Sequence, residues 1–166
     1  MGLTISFAER FAGSQQFDQV FREGMALVEA TANYLEGPGR RDAKGLSPAA
    51  AVIYASESMR LTTRLLELAS WLIIRRALKA REIGPEEART KRRRLRLAAI
   101  GRPAHVKNYH ELPPRLRALI EMSFALHDRI VLIDRALEHP EPVASEPAAN
   151  TVAEQFQRLN VAFGRG

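Results

Sequence analysis

The 166-residue chain has no cysteine, which excludes disulfides and thiolate metal sites and suits a reducing cytoplasm. Its 46% hydrophobic and 27% charged residues are the proportions of one folded globular domain, not of a disordered chain. The net charge of +6 is local: ten basic residues and three acids lie between Arg75 and Arg96, and the remainder is close to neutral.

The longest uncharged apolar run near Trp71, Leu68 to Ile74, falls far short of the roughly 20 residues of a membrane span. Glu9 and Arg10 interrupt any signal-peptide core. In the first residues Ile5, Phe7 and Phe11 form a short apolar lead. A helical pattern then covers about 14–36, with Phe17, Val20, Phe21, Gly24, Leu27, Val28, Thr31, Tyr34 and Leu35 on one face and Asp18 spaced to pair with Arg22. Gly24 on that face either admits a second helix closely or is a tolerated defect of about 1 kcal/mol. Gly37, Pro38 and Gly39 stop the helix, and Arg40 to Leu46 turn the chain.

The central helix, about 47–82, organises the rest. Ser47 is placed to cap it, Pro48 suits its first position, and Gly84 and Pro85 end it. Two apolar ladders run along it: Val52, Ala55, Met59, Thr62, Leu66, Ala69, Ile73, and Tyr54, Ser58, Leu61, Leu65, Leu68, Leu72. Together they exceed the single stripe of a surface helix, so neighbours are expected on two sides. The remaining strip, Glu57, Arg60, Arg64, Glu67 and Trp71, is expected to meet water or a partner.

A shorter basic helix is expected over about 86–99, with acids in its first turn, followed by a loop over 101–112. A third long helix, about 113–138, carries the seam Leu116, Leu119, Ile120, Ser123, Leu126, Ile130, Ile133 and Leu137. From His139 the composition turns to Pro, Glu, Ala and Ser, the mark of a flexible tail over 139–166, whose end repeats Val152, Phe156, Leu159 and Phe163 at near-helical spacing. The fold class is therefore all-α: an up-down three-helix bundle over 1–138 with a shorter basic excursion and a tail. A core seamed by Leu65, Leu66, Ile73, Leu119, Leu126 and Ile133 is expected.

Catalytic templates fail. Gly45-Leu46-Ser47-Pro48-Ala49 lacks the second glycine of a nucleophile elbow, Gly37-Pro38-Gly39 follows a helix rather than a strand, and no histidine has an acid three residues before it. His127 beside Asp128 makes a poor acid/base pair, better read as a helix histidine. No enzyme, cofactor or metal is expected. The segment Arg89 to Arg96 has the charge density of a nucleic-acid footprint but no aromatic interleaving, so nucleic acid is the weaker reading.

ISFAERFAGSQQFDQVFREGMALVEATANYLEGPGR near the N-terminus and the central YASESMRLTTRLLELASWLIIRRA resemble the RcdA family of alphaproteobacteria, named as a regulator of CtrA degradation. The resemblance covers about residues 4–82, and 116–137 more loosely. It implies a small cytoplasmic three-helix bundle that dimerises. It further implies a non-enzymatic adaptor that, with a response-regulator co-adaptor, helps deliver cell-cycle regulators to the ClpXP protease, at a cell pole. No contact residue carries over from the family. From the residues themselves, the candidate partner contacts are Arg60, Arg64 and Trp71 of the central strip, Arg92, Arg93 and Arg96 of the basic segment, and Phe156, Leu159 and Phe163 of the tail.

Overall fold

A computed structural model describes residues 14–97 and 105–139, with Arg10 and Arg102. Its described residues form five α-helices and no strand: α1 (Gln15–Glu36), α2 (Pro38–Lys44), α3 (Pro48–Lys79), α4 (Pro85–Arg93) and α5 (Pro114–Glu138), with a 3-10 turn at Tyr109–Glu111 before α5.

Local chemistry sets the boundaries. The Ser47 Oγ accepts from the Ala50 N–H at 3.2 Å, and Pro48 follows at the first helical position. At the other end of α3 the left-handed residue is Arg81, with φ 59°, and the Glu82 N–H closes back on the Ala77 carbonyl at 2.9 Å. Gly84 was the expected exit residue; it is instead extended, as a residue before proline must be, and leads into α4. The stretch after Gly37 is not a plain turn. Pro38 opens α2, whose Asp42 accepts from the Tyr34 hydroxyl at 2.8 Å. A Cβ on Gly39 would sit 2.7 Å from both the Tyr34 carbonyl and the Tyr54 hydroxyl, so only glycine lets α2 lie this close to α1 and α3.

The long helices pack as a bundle. Lys79 Nζ bonds Asp18 at 2.7 Å, which sets α1 antiparallel to α3 and replaces the expected Asp18–Arg22 pair. Glu23 meets Arg129 at 2.5 Å while Arg115 lies over the Tyr34 ring, so α1 is antiparallel to α5 as well. Arg64 reaches Ser123 and Trp71 reaches Asp134, which makes α3 and α5 parallel. The up-down sense thus holds from α1 to α3, and the excursion then climbs back along the α3/α5 groove before α5 begins. Gly24 is a close approach: a Cβ there would stand 2.4 Å from Leu72 Cδ1.

The core comprises Phe17, Val20, Leu27 and Tyr34 of α1, Leu61, Leu65, Leu68, Trp71 and Leu72 of α3, and Leu116, Leu119, Ile120, Phe124, Leu126 and Ile130 of α5. Leu97 and Leu112, from the excursion, complete it. Two expected core residues are not in it. Leu66 and Ile73 are 67% and 55% exposed, and Ile133 is only half-buried.

Candidate interaction surfaces

The strip of α3 read as outward-facing is the one the excursion covers. Glu57, Arg64 and Trp71, seven residues apart, are 3%, 2% and 0% exposed. Arg64 stacks 3.7 Å from the Phe124 ring centroid and donates from Nη1 to Ser123 Oγ at 2.7 Å, and burial pushes its guanidinium pKa down. Glu57 bonds Arg60 at 2.7 Å, the three-residue pairing the spacing allows, and the Arg60 side chain remains exposed. Arg64 and Trp71 are therefore structural members of the α3/α5 contact and not surface partners; Arg60 keeps its place on the surface.

Asp134 is the keystone that sequence reasoning missed. Its Oδ1 accepts from Trp71 Nε1 and Arg92 Nε, both at 2.7 Å, its Oδ2 pairs with Arg92 Nη2, and Arg75 stands 3.8 Å away. Burial alone would raise this carboxyl, but the bonds from Arg92 and Trp71 and the charges of Arg92 and Arg75 outweigh it and hold it below the usual carboxylate range. A signal was present. Asp134 continues the fours and threes of Leu116, Ile120, Ser123, His127 and Ile130, so the seam's periodicity placed one acid on the buried face of α5. His127 lies on the same seam, with its Nε2 donating to the Leu97 carbonyl at 2.7 Å, and so holds the excursion down.

The basic segment is thereby partly neutralised. Arg92 is bound to Asp134, Arg89 pairs with Glu86 at 2.6 Å and Lys91 with Glu87 at 3.4 Å. Arg93 makes only a 3.4 Å contact with Thr90, and Arg96 presents its side chain to solvent while its backbone N–H bonds Glu67 at 3.0 Å. Arg93 and Arg96 thus stay available on the surface, whereas Arg92 does not. Phe156, Leu159 and Phe163 lie outside the described residues.

The other ladder of α3 is the open one. Val52, Met59, Leu66 and Ile73 are 71%, 72%, 67% and 55% exposed and recur every seventh residue, along about 32 Å of helix. Between them stand Ala55, Ser56, Thr62, Thr63, Ala69 and Ser70, so the face carries no charge. The Thr62 and Ser70 hydroxyls donate to the Ser58 and Leu66 carbonyls of their own helix, which leaves the stripe still more apolar. Among the described helices none is long and apolar enough to cross a membrane, and the described residues hold no cluster of metal-ligating side chains.

A comparison with curated proteins returns no match. Among solved structures, RcdA from Caulobacter crescentus CB15 is similar, with 44% sequence identity and a TM-score of 0.63 over 77% of this chain and 95% of the RcdA chain. A family profile described as protein of unknown function, DUF1465, matches residues 8–163. Identity of that extent over nearly all of the RcdA chain, on one helical bundle, settles the family: the chain belongs to DUF1465 and, through its likeness to the Caulobacter protein, to the RcdA family.

Proposed function

We propose that this protein is a non-enzymatic adaptor of regulated proteolysis that helps present cell-cycle regulatory proteins of the CtrA type to ClpXP, in the cytoplasm and at a cell pole. The observation that carries this reading is the 44% identity to RcdA across 95% of its chain. A reconstituted ClpXP assay tests it, with a response-regulator co-adaptor and a CtrA-type cargo. Adding the protein is expected to speed cargo loss at least several-fold, and deleting residues 139–166 is expected to reduce that gain while leaving the melting transition of the bundle in place. A cargo half-life indifferent to the full-length protein would reject the adaptor role.

The uncharged stripe of α3 supports a homodimer. Apolar residues at a strict seven-residue interval, flanked by small side chains, form a seam that a two-fold axis can place against its own copy. A single acid at its centre, Leu66→Asp, would lie desolvated against the partner, so it is expected to shift sedimentation at micromolar concentration from dimer to monomer without lowering helicity. A parent chain that sediments as a monomer would remove this interface.

Nucleic acid remains the weaker reading, because Arg89, Lys91 and Arg92 already have carboxylate partners. Phosphate contacts from Arg93, Arg94 and Arg96 alone would give weak binding that is lost steeply with salt, which a gel shift across a salt series would show.

A further inference from the structure

Of the three grooves between the long helices, two are covered. The excursion fills the α3/α5 groove through Leu97, Leu112 and the Arg92–Asp134 bond. The α1/α3 groove is roofed at one end by α2, and at the other by Arg76 over the Phe21 ring and Lys79 over Phe17. The α1/α5 groove has no covering element among the described residues. It is a trough of about 460 Å³, floored by Leu27 and Leu126, with walls of Ala26, Ala30, Met122 and Ala125. The Glu23–Arg129 ion pair, at 2.5 Å, marks the end nearer His139.

We propose that this groove seats the chain's own C-terminal segment, Val152 to Phe163. Its length and point of departure fit. The segment follows α5, which ends at Glu138 on the side of the bundle nearer the Glu23–Arg129 pair. Turning back from His139 to Met122 requires about 26 Å at 1.5 Å per helical residue, and the residues from 140 to 151, extended, reach about 40 Å. Shape fits as well. Val152, Phe156, Leu159 and Phe163 fall on one face at steps of four, three and four, so as a helix they offer bulky knobs to a trough whose walls are mostly alanine. Such a helix is about 18 Å long, enough to cover the groove from Met122 to Arg129. An isolated segment of this length is marginal as a helix in water, and an apolar groove supplies the tertiary contact it lacks. The family profile extends through Phe163, so the segment belongs to the matched chain.

Tethering makes the contact intramolecular, and a weak intrinsic affinity suffices at the millimolar effective concentration a short linker provides. The groove lies on the side of the bundle away from the α3 stripe, so a second copy on α3 and the tail on α1/α5 do not compete. Seating in cis would withhold Phe156, Leu159 and Phe163 from other proteins until a partner displaces them. The proposal stands on the groove and the tail pattern and does not depend on a proteolytic role.

The absence of cysteine makes the test direct. Gln157, off the apolar face of the segment, is replaced by cysteine in the full-length chain and coupled to a nitroxide. The methyl resonances of Ala26, Ala30 and Ala125 are expected to lose most of their intensity, while those of Ala43 in α2 keep theirs. Ala125→Glu, at an exposed position, is expected to restore the Ala26 and Ala30 signals with the helicity of the bundle unchanged. Labelled chains mixed with isotope-enriched, unlabelled chains are expected to cause no loss. Full intensity at the groove methyls in the labelled chain would overturn the proposal, as would a loss carried over to the mixed sample, which would place the segment on a second copy.

Discussion

Replacing Asp134 with alanine is expected to lower the stability of the bundle by about 3–5 kcal/mol, because it removes the one carboxylate that faces two guanidinium groups and an indole N–H. Arg75, already pushed toward lower pKa by its burial, would lose its more deeply buried counter-ion and keep only the half-exposed Glu138 at 3.6 Å. Trp71, fully buried, would retain an N–H with no acceptor. Arg92 is the one cation of α4 tied to the bundle by an ion pair, so the excursion should loosen first; amide exchange over Pro85–Arg93 should rise before the global transition moves. A urea midpoint equal to the parent's would overturn this assignment.

The same carboxylate gives a pH dependence of fixed sign. Its folded pKa lies below the ordinary value, so the unfolded chain takes up the proton first as acid is added. The contribution to stability is complete above the ordinary carboxylate range and is lost as pH falls through the depressed folded value. Asp134→Asn, which keeps an acceptor for Trp71 but not the charge, should therefore show a flatter acid limb than the parent. Glu23, held low by its bonds to Arg129 and Gln19, adds a smaller slope of the same sign and remains in both proteins.

The faces of α1 and α5 were legible because each helix has one apolar side, and a period of three and four leaves a single way to turn it inward: Phe17, Val20, Leu27, Tyr34 on one and Leu116, Leu119, Ile130 on the other. α3 was ambiguous for the opposite reason. Three of its faces could be buried, and counting carbon favoured the Leu66–Ile73 ladder over one bearing Glu57 and Arg64. What decided the matter is not local. The excursion brings Ser123, Phe124 and Asp134 of α5 together with Arg92 and the Leu97 and Leu112 side chains around that strip, and so provides Arg64 and Trp71 with partners that no window of α3 reveals. The basic segment misled for a related reason. A charge count sees Arg92 as it sees Arg93, and only the three-dimensional pairing separates a structural cation from a surface one. The helix α2 escaped notice because Gly-Pro-Gly reads as a stop, although Pro38 is equally a helix start.

A pair of leucines five residues apart on α3 separates the two faces by experiment. Leu61 is fully buried in the contact with α1 and α5, so Leu61→Ala removes apolar contacts and leaves a cavity, and it is expected to cost about 2–5 kcal/mol at any protein concentration. Leu66 is 67% exposed, and Leu66→Ala in protein dilute enough to be monomeric is expected to fall within about 0.5 kcal/mol of the parent. The concentration dependence carries the further information. If the stripe of Val52, Met59, Leu66 and Ile73 is closed by a second copy, dimerisation stabilises the parent by mass action and the penalty of Leu66→Ala grows as protein is added, whereas that of Leu61→Ala, as a loss within each bundle, persists on dilution. Melting both variants over a hundred-fold concentration range distinguishes these outcomes. A large penalty for Leu66→Ala in the dilute monomer would mean that α3 is rotated, with its uncharged ladder inside and Trp71 and Arg64 at the surface.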